Sequence, residues 1–291
     1  MSEALVLQAP AKLNLTLDVL GKRPDGYHDL RMVMQSVSLA DTVTLRRTEA
    51  PGIRVASNLN YLPNNENNLA VRAANVFFRR AGIESPGLEI ALQKRIPVCA
   101  GTAGGSSDAA AVLRGLNRLY QTDYAPAELA ALGEQVGSDV PYCVIGGTAL
   151  AEGRGERITP LPPLPDCTLV LCKPGFSVST PELFRAVDGV RIRCRPDTAG
   201  MIAALKQGNL REISMRMYNV FEDVLPNGRR DMIQSIRDTM LDGGALGACM
   251  SGTGPTVFGL FTDRDCAERT AAELKNSFRD TFVTEGVQRT D

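Results

Sequence analysis

A glycine-rich loop set between a strand pattern and a helix pattern constrains this chain more than any other feature. LEIALQK alternates apolar and polar residues as a half-buried strand does, PVCAGTAGGSSD follows from Pro97 to Asp108, and SSDAAAVLRGLNRLY has helical spacing. Gly101, Gly104 and Gly105 let the main chain take positive φ and approach a ligand closely. Unpaired N–H groups at the helix start, with the helix dipole behind them, favour an anion there. Ser106 and Ser107 add hydroxyl groups that can donate to that anion or ligate a magnesium ion riding on it. The plainer alternative for G-x-x-G-G is a turn followed by an ordinary serine N-cap. Two familiar nucleotide loops are excluded. No Lys-Ser or Lys-Thr follows the last glycine, and no βαβ unit carries a dinucleotide fingerprint.

Around this junction the first third of the chain is strand-like. Leu13, Leu15, Leu17 and Val19 alternate with polar positions, a turn-rich segment runs from Gly21 to Gly26, and HDLRMVMQSVSL, DTVTLRR and GIRVAS continue as a meander. Asn68 opens a helix in which Leu69, Ala73, Val76 and Phe77 recur, and another starts at Ala125 with Pro126 in its first turn and ends before Gly137. GGTALAEG and CTLVLCKP read as strands on either side of the proline-rich stretch Pro160 to Pro165, the best linker candidate. Helical spacing returns over Met201 to Lys206, Leu210 to Val224, Asp231 to Leu241 and near Ala267 to Phe278, with two short strands around the glycine turn in ACMSGTGPTVFGLF. The expected class is α+β, helices on largely antiparallel sheets, in two domains over residues 1–160 and 161–291.

Composition removes several classes of function. With 32 basic and 33 acidic residues the formal charge is −1, which gives no electrostatic footprint for nucleic acid. Any anionic ligand must be held by a local site. The seven cysteines form no C-x-x-C pair and only one histidine accompanies them, so a disulfide framework or structural zinc is not expected and the thiols read as reduced. No secretory signal and no membrane-spanning apolar run is visible, and the expected location is the cytoplasm.

The glycine loop keeps specific company. Ala11-Lys12-Leu13-Asn14 lies on the first strand, Gly137-Ser138-Asp139-Val140-Pro141 follows a helix, and Ser251-Gly252-Thr253-Gly254-Pro255 makes a second glycine turn. Together with PAKLNL, RPDGYHDL and GSDVPYCVIGGTALAEGRGE, this set resembles the GHMP kinase superfamily over nearly the whole chain. RPDGYH is the most discriminating block and resembles the members that phosphorylate a cytidylyl-tagged polyol. The resemblance implies a two-domain fold, with a ribosomal S5 domain 2-like N-terminal domain and a ferredoxin-like C-terminal domain. It implies ATP as phosphoryl donor with Mg2+, and a cytidine diphosphate-linked methylerythritol as small-molecule substrate, phosphorylated on its 2-hydroxyl.

Residue by residue, the resemblance makes Asp139 the catalytic carboxylate and Lys12 the active-site lysine. It assigns ATP to Pro97, Val98, Cys99, Ala100, Gly101, Thr102, Ala103, Gly104, Gly105, Ser106 and Ser107, with Asn68 and Lys94 near the adenine and ribose. It assigns the substrate to Asn14, Tyr27, His28 and Phe184, with Tyr27 and Phe184 closing opposite faces of the cytosine. Each has a plainer alternative: Asp139 as a turn former, Lys12 on a solvated strand face, His28 as packing, Phe184 as helix core. No protein ligand of magnesium is fixed, Ser107 being the nearest candidate. The loop departs from the family pattern, which has glycine at 99 and 103 and leucine at 102. Cys99 and Ala103 are compatible with phosphate binding if φ stays negative, with altered ATP affinity expected rather than loss of activity. Rival readings are another kinase of the superfamily, acting on homoserine, mevalonate or a sugar, and a nucleotide- or RNA-binding module without catalysis.

Overall fold

The computed structural model describes residues 4–84 and 86–288, and the outermost ends of the two expected domains lie outside them. The chain begins with β1 (Leu5–Lys22) and β2 (His28–Arg47), a long antiparallel hairpin in which Lys22 faces His28 and Leu5 faces Leu45. Register shifts fall between Pro10 and Lys12 and between Asn14 and Thr16. Bulges re-aim side chains, and these two bracket Lys12 and Asn14. HDLRMVMQSVSL and DTVTLRR, read as separate strands, are one continuous β2 of 20 residues.

β3 (Gly52–Ser57), α1 (Leu69–Ala81) and β4 (Gly87–Gln93) follow. The expected meander fails at β3, which lies parallel to β4, itself antiparallel to β2. The reason is α1: a helical crossover between two strands returns the chain in the same direction. α2 (Gly104–Tyr120), α3 (Pro126–Glu134) and the short α4 (Val140–Ile145) lead to β5 (Thr148–Gly153) and β6 (Arg157–Pro160), which extend the sheet beside β2. α1 and α2 pack together on this sheet, with Phe77, Leu45, Leu88 and Leu113 fully buried among them.

The chain then enters a second sheet at β7 (Thr168–Lys173) and passes through α5 (Thr180–Asp188), α6 (Thr198–Gln207) and α7 (Leu210–Met215). The continuous helix expected from Leu210 to Val224 does not form. It breaks into α7, the two-residue β8 (Tyr218–Asn219) and a 3-10 turn at Val220–Val224. Tyr218 and Asn219 pair in parallel with Thr16 and Leu17 of β1, so sheet pairing overrides helical spacing and ties this part of the chain to the first sheet. α8 (Asn227–Asp242), β9 (Gly247–Met250), β10 (Val257–Phe261), α9 (Arg264–Lys275) and β11 (Asp280–Glu285) complete the second layer. Its strand order is β11-β7-β10-β9, antiparallel throughout. With helices between β7 and β9 and between β10 and β11, this is the split βαββαβ arrangement of ferredoxin-like folds.

α4 matters because it begins at the residue after Asp139, and its anchor is Tyr142. That ring is fully buried, and its hydroxyl pairs with Gly147 O at 2.7 Å and Ser36 Oγ at 3.0 Å. Tyr142→Phe leaves these groups short of a partner inside the core. We expect a loss of about 1–2 kcal/mol in urea unfolding at unchanged m-value; a loss near zero would mean that α4 is anchored by packing alone.

Candidate active site

The chain from Lys94 to Gly105 passes from β4 to α2 along one wall of a cleft of about 960 Å³. The first turn of the loop is set by Asp41 of β2, whose Oδ1 accepts from Arg95 N at 2.5 Å and Ile96 N at 2.8 Å. Gly101, at φ 77°, could not carry a side chain: a β-carbon there would stand 2.2 Å from Ser251 O and 2.9 Å from Gly254 N. Ser251 Oγ completes the junction by donating to Gly101 O at 3.0 Å, and Thr256 N donates to Ala100 O at 3.2 Å. The two glycine turns therefore touch main chain to main chain.

The condition attached to Cys99 and Ala103 is not met. Both lie in the left-handed region, at φ 53° and 56°. Ala103 is the residue on which α2 opens, with no side-chain cap. A non-glycine residue in this region carries roughly 1–2 kcal/mol of steric strain, which is why glycine suits both places. Thr102, in the position of the family's leucine, is 1% exposed and its buried hydroxyl has no partner among the described residues.

Pro97, Val98, Cys99, Ala100, Gly101, Thr102, Ala103, Gly104, Gly105, Ser106, Asn68 and Lys94 all line the cleft. Ser107 does not. It sits 1% exposed beneath the loop, its hydroxyl donating to Pro10 O at 2.7 Å, so it ties β1 to α2 instead of meeting a phosphate. Asn68 caps α1 by accepting from Ala70 N at 3.0 Å. Lys94 reaches the cleft floor with its ammonium sealed between Asp41 and Asp108, which takes its charge away from a ribose or adenine. Two carboxylates share that single ammonium. Burial, opposed by Lys94 and reinforced by Asp41, pushes the Asp108 carboxyl up to about 7. Asp108 Oδ1 is buried without a partner among the described residues.

Lys12 and Asp139 face the same cleft. Lys12 Nζ donates to Asn14 Oδ1 at 2.6 Å, and no direct ion pair joins it to Asp139 among the described contacts. Both charges are nonetheless close to the Cys143 thiol, which burial pushes up, with Asp139 adding to that shift and Lys12 opposing it. Asn14 itself does not reach the cleft: it is fully buried, its N–H donates to Ser251 Oγ at 3.3 Å, and it acts by holding Lys12. Asp139 precedes the first turn of α4, and Cys143 N donates to its carbonyl at 3.0 Å.

At the other end of the cleft Tyr27 is 55% exposed and His28 only 8%. Phe184 turns its ring onto His28, stacked at 4.5 Å and 21°, with Phe221 edge-on behind it at 5.1 Å. Tyr27 and Phe184 both line this end of the cleft. Arg154 holds its guanidinium 5.1 Å from the Tyr27 ring centre while paired to Glu134 at 2.7 Å. Ser179 is the cap of α5, and the Thr180 hydroxyl pairs with Thr253 of the second glycine turn at 3.1 Å. Sequence reasoning missed Asp41, Asp108, Arg154 and Asp188. Their partners lie far off along the chain, and only the hydrophobic period of β2 offered a hint that Asp41 points inward.

Restoring glycine at 99 and 103 tests the loop. Each of Cys99→Gly and Ala103→Gly is expected to stabilise the protein by a few tenths to about 1 kcal/mol, the strain relieved less the extra freedom of the unfolded chain. Calorimetry should also show tighter binding of a nucleoside triphosphate. If both variants were less stable and bound more weakly, the loop would owe its shape to those side chains.

Comparison with known proteins gives the family. The family model of the GHMP kinases N terminal domain matches residues 68–147, and that of the GHMP kinases C terminal matches residues 201–280. A protein of Lachnoclostridium phytofermentans named 4-diphosphocytidyl-2-C-methyl-D-erythritol kinase is 46% identical over 94% of this chain and 93% of its own. The protein of that name from Exiguobacterium sibiricum is 46% identical over 96% of each chain. The crystal structure of a 4-(cytidine 5'-diphospho)-2C-methyl-D-erythritol kinase superposes with a TM-score of 0.81 at 35% identity, covering 97% of this chain and all of the other. A homoserine kinase from Cytophaga hutchinsonii superposes at 0.77 but is only 20% identical, which shows a shared fold. This chain belongs to the GHMP kinases and, within them, to the family of the 4-diphosphocytidyl-2-C-methyl-D-erythritol kinases.

Proposed function

We propose that the chain moves the γ-phosphoryl group of ATP onto the 2-hydroxyl of 4-diphosphocytidyl-2-C-methyl-D-erythritol, a step of the non-mevalonate route to isoprenoid precursors. The carrying observation is that one cleft holds the glycine loop, Lys12, Asp139 and the Tyr27-His28 pair of RPDGYH. Homoserine and mevalonate kinases share the fold at 20% identity or less, and those substrates have no cytosine for such a pair to hold.

In this reading residues 1–160 and 161–291 form two halves on either side of the cleft. Main-chain N–H groups from Gly101 to Ser106, at the start of α2, hold the triphosphate, with adenine in the apolar recess of Leu62, Pro63 and Leu69. Asp139 accepts the proton of the substrate hydroxyl as the oxygen–phosphorus bond forms and ADP departs with the electrons of the bond that breaks. Lys12, held by the neutral amide of Asn14, offsets the charge developing on the transferred group. Ser106 and the Asp108 Oδ1 that has no partner among the described residues are the oxygens that would hold a magnesium ion, which would supply further charge neutralisation. Among the described residues no helix is long and apolar enough to cross a membrane, and all seven cysteines are free. The free thiols fit a reducing compartment, the cytoplasm.

Asp139→Asn is expected to abolish turnover while calorimetry still finds ATP bound; normal turnover would remove Asp139 from the chemistry. Tyr27→Ala is expected to raise the Michaelis constant for the cytidylyl substrate about fivefold to a hundredfold, from a stacking loss of ~1–3 kcal/mol, with that for ATP unchanged. Equal effects on the two would contradict the assignment. A coupled ADP-release assay against homoserine and mevalonate separates the rival kinases.

A further inference from the structure

α5 presents Phe184 and Asp188 one helical turn apart, so both lie on one face of the helix. Both meet the same ring. Phe184 stacks on the face of His28 at 4.5 Å, and an Asp188 oxygen lies 2.7 Å from its edge at Nε2. The second Asp188 oxygen lies 3.4 Å from Lys22 Nζ. Lys22 and His28 are the facing residues at the loop end of the β1–β2 hairpin. One carboxylate from the second half of the chain thus binds both strands where the Tyr27 loop leaves the sheet.

We infer that Asp188 is a positioning residue for the cytidine end of the substrate: it fixes His28 against Phe184 and so holds the loop that carries Tyr27. The inference rests on the reading of Tyr27, His28 and Phe184 as the cytosine pocket. A ring gripped on its face alone turns about its own axis and slides; an acceptor on one nitrogen removes that freedom and requires Nε2 to carry a proton. The position also runs against local preference, because an anion in the last turn of a helix opposes the helix dipole. Lys22 and His28 offset that cost, and the His28 hydrogen bond, followed by the weaker pull of Lys22, holds the Asp188 carboxyl below its ordinary range. A carboxylate placed against its own helix for the sake of two residues on another sheet is the kind of local conflict found at functional sites.

Asp188→Ala, Asp188→Asn and Tyr27→Ala are to be compared in one steady-state assay. Loss of a hydrogen bond to a charged group predicts about a tenfold rise in the Michaelis constant for the cytidylyl substrate in Asp188→Ala. Turnover number and the constant for ATP should stay within about twofold, a split that general loosening of the fold would not give. Asp188→Asn keeps an oxygen acceptor and should recover most of the loss. A readout independent of activity is available because the chain has one histidine. With histidine labelled in 15N, the native protein should show one slowly exchanging imidazole N–H signal that Asp188→Ala lacks. If Tyr27→Ala raises the constant and Asp188→Ala does not, or if ATP is affected in parallel, the positioning role is overturned and the cytosine reading stands. If neither variant raises it, the cytosine reading falls and the inference falls with it.

Discussion

Gly101 lies against the second glycine turn so closely that no β-carbon fits, and the rest of the cleft depends on that approach. The contact joins a loop between β4 and α2 to a loop between β9 and β10, residues about 150 positions apart that meet through backbone atoms. Ser251 then bridges Gly101 O to Asn14 N, which brings in β1 and, through Asn14, the ammonium of Lys12. Asn219 holds the turn from behind, its amide donating to Met250 O and Gly252 O at 2.8 Å each. Each such bond contributes only about 1 kcal/mol net. Their value lies in geometry, since a reacting group displaced by an ångström loses much of its rate.

The two lysines of the cleft show how a partner decides what a charge can do. Lys94 is enclosed by two carboxylates beneath the glycine loop, one of them, Asp108, pushed up to about 7 by burial. Its positive charge is spent on Asp41 and Asp108; Asp41 in turn fixes the start of the loop through Arg95 and Ile96. Lys94 is thus a tie between β2, the loop and α2. Lys12 is held instead by an amide oxygen, which orients the ammonium without cancelling it. Only the second arrangement leaves a cation free to act on a moving phosphoryl group.

The strand-loop-helix junction, the start of α1, the bounds of α3 and the glycine turn at 251–255 were legible because each has a local cause: alternation, helical period, a cap, or glycine where no other residue fits. Lys12 and Asp139 were legible only through the motifs around them. What the sequence hid has a common origin in pairing between distant segments. Tyr218 and Asn219 leave a helical pattern because β1 offers them a strand partner. Ser107 looks like a phosphate donor until the Pro10 carbonyl is found beneath it. Nothing in PELFRAVD says that its final aspartate meets a histidine 160 residues earlier. The backbone angles at Cys99 and Ala103 were hidden for a different reason: they run against the preference of the residues placed there, so residue type gave no sign of them.

The two ends of the cleft tolerate change differently as a result. At the phosphate end the groups proposed to bind are backbone amides, so a side chain can be exchanged as long as the fold meets the strain, and cysteine and alanine in the left-handed region show that it does. At the cytidine end the groups are rings and charges whose positions depend on one another: Phe184 on His28, His28 on Asp188, Asp188 on Lys22, Tyr27 beside an Arg154 that leans on Glu134. Removing one member leaves its neighbours with an unmet partner or an open face. On the proposed reading, binding of the phosphoryl donor rests on backbone geometry and answers to side chains through loop strain, whereas recognition of the acceptor is concentrated in a few mutually dependent side chains.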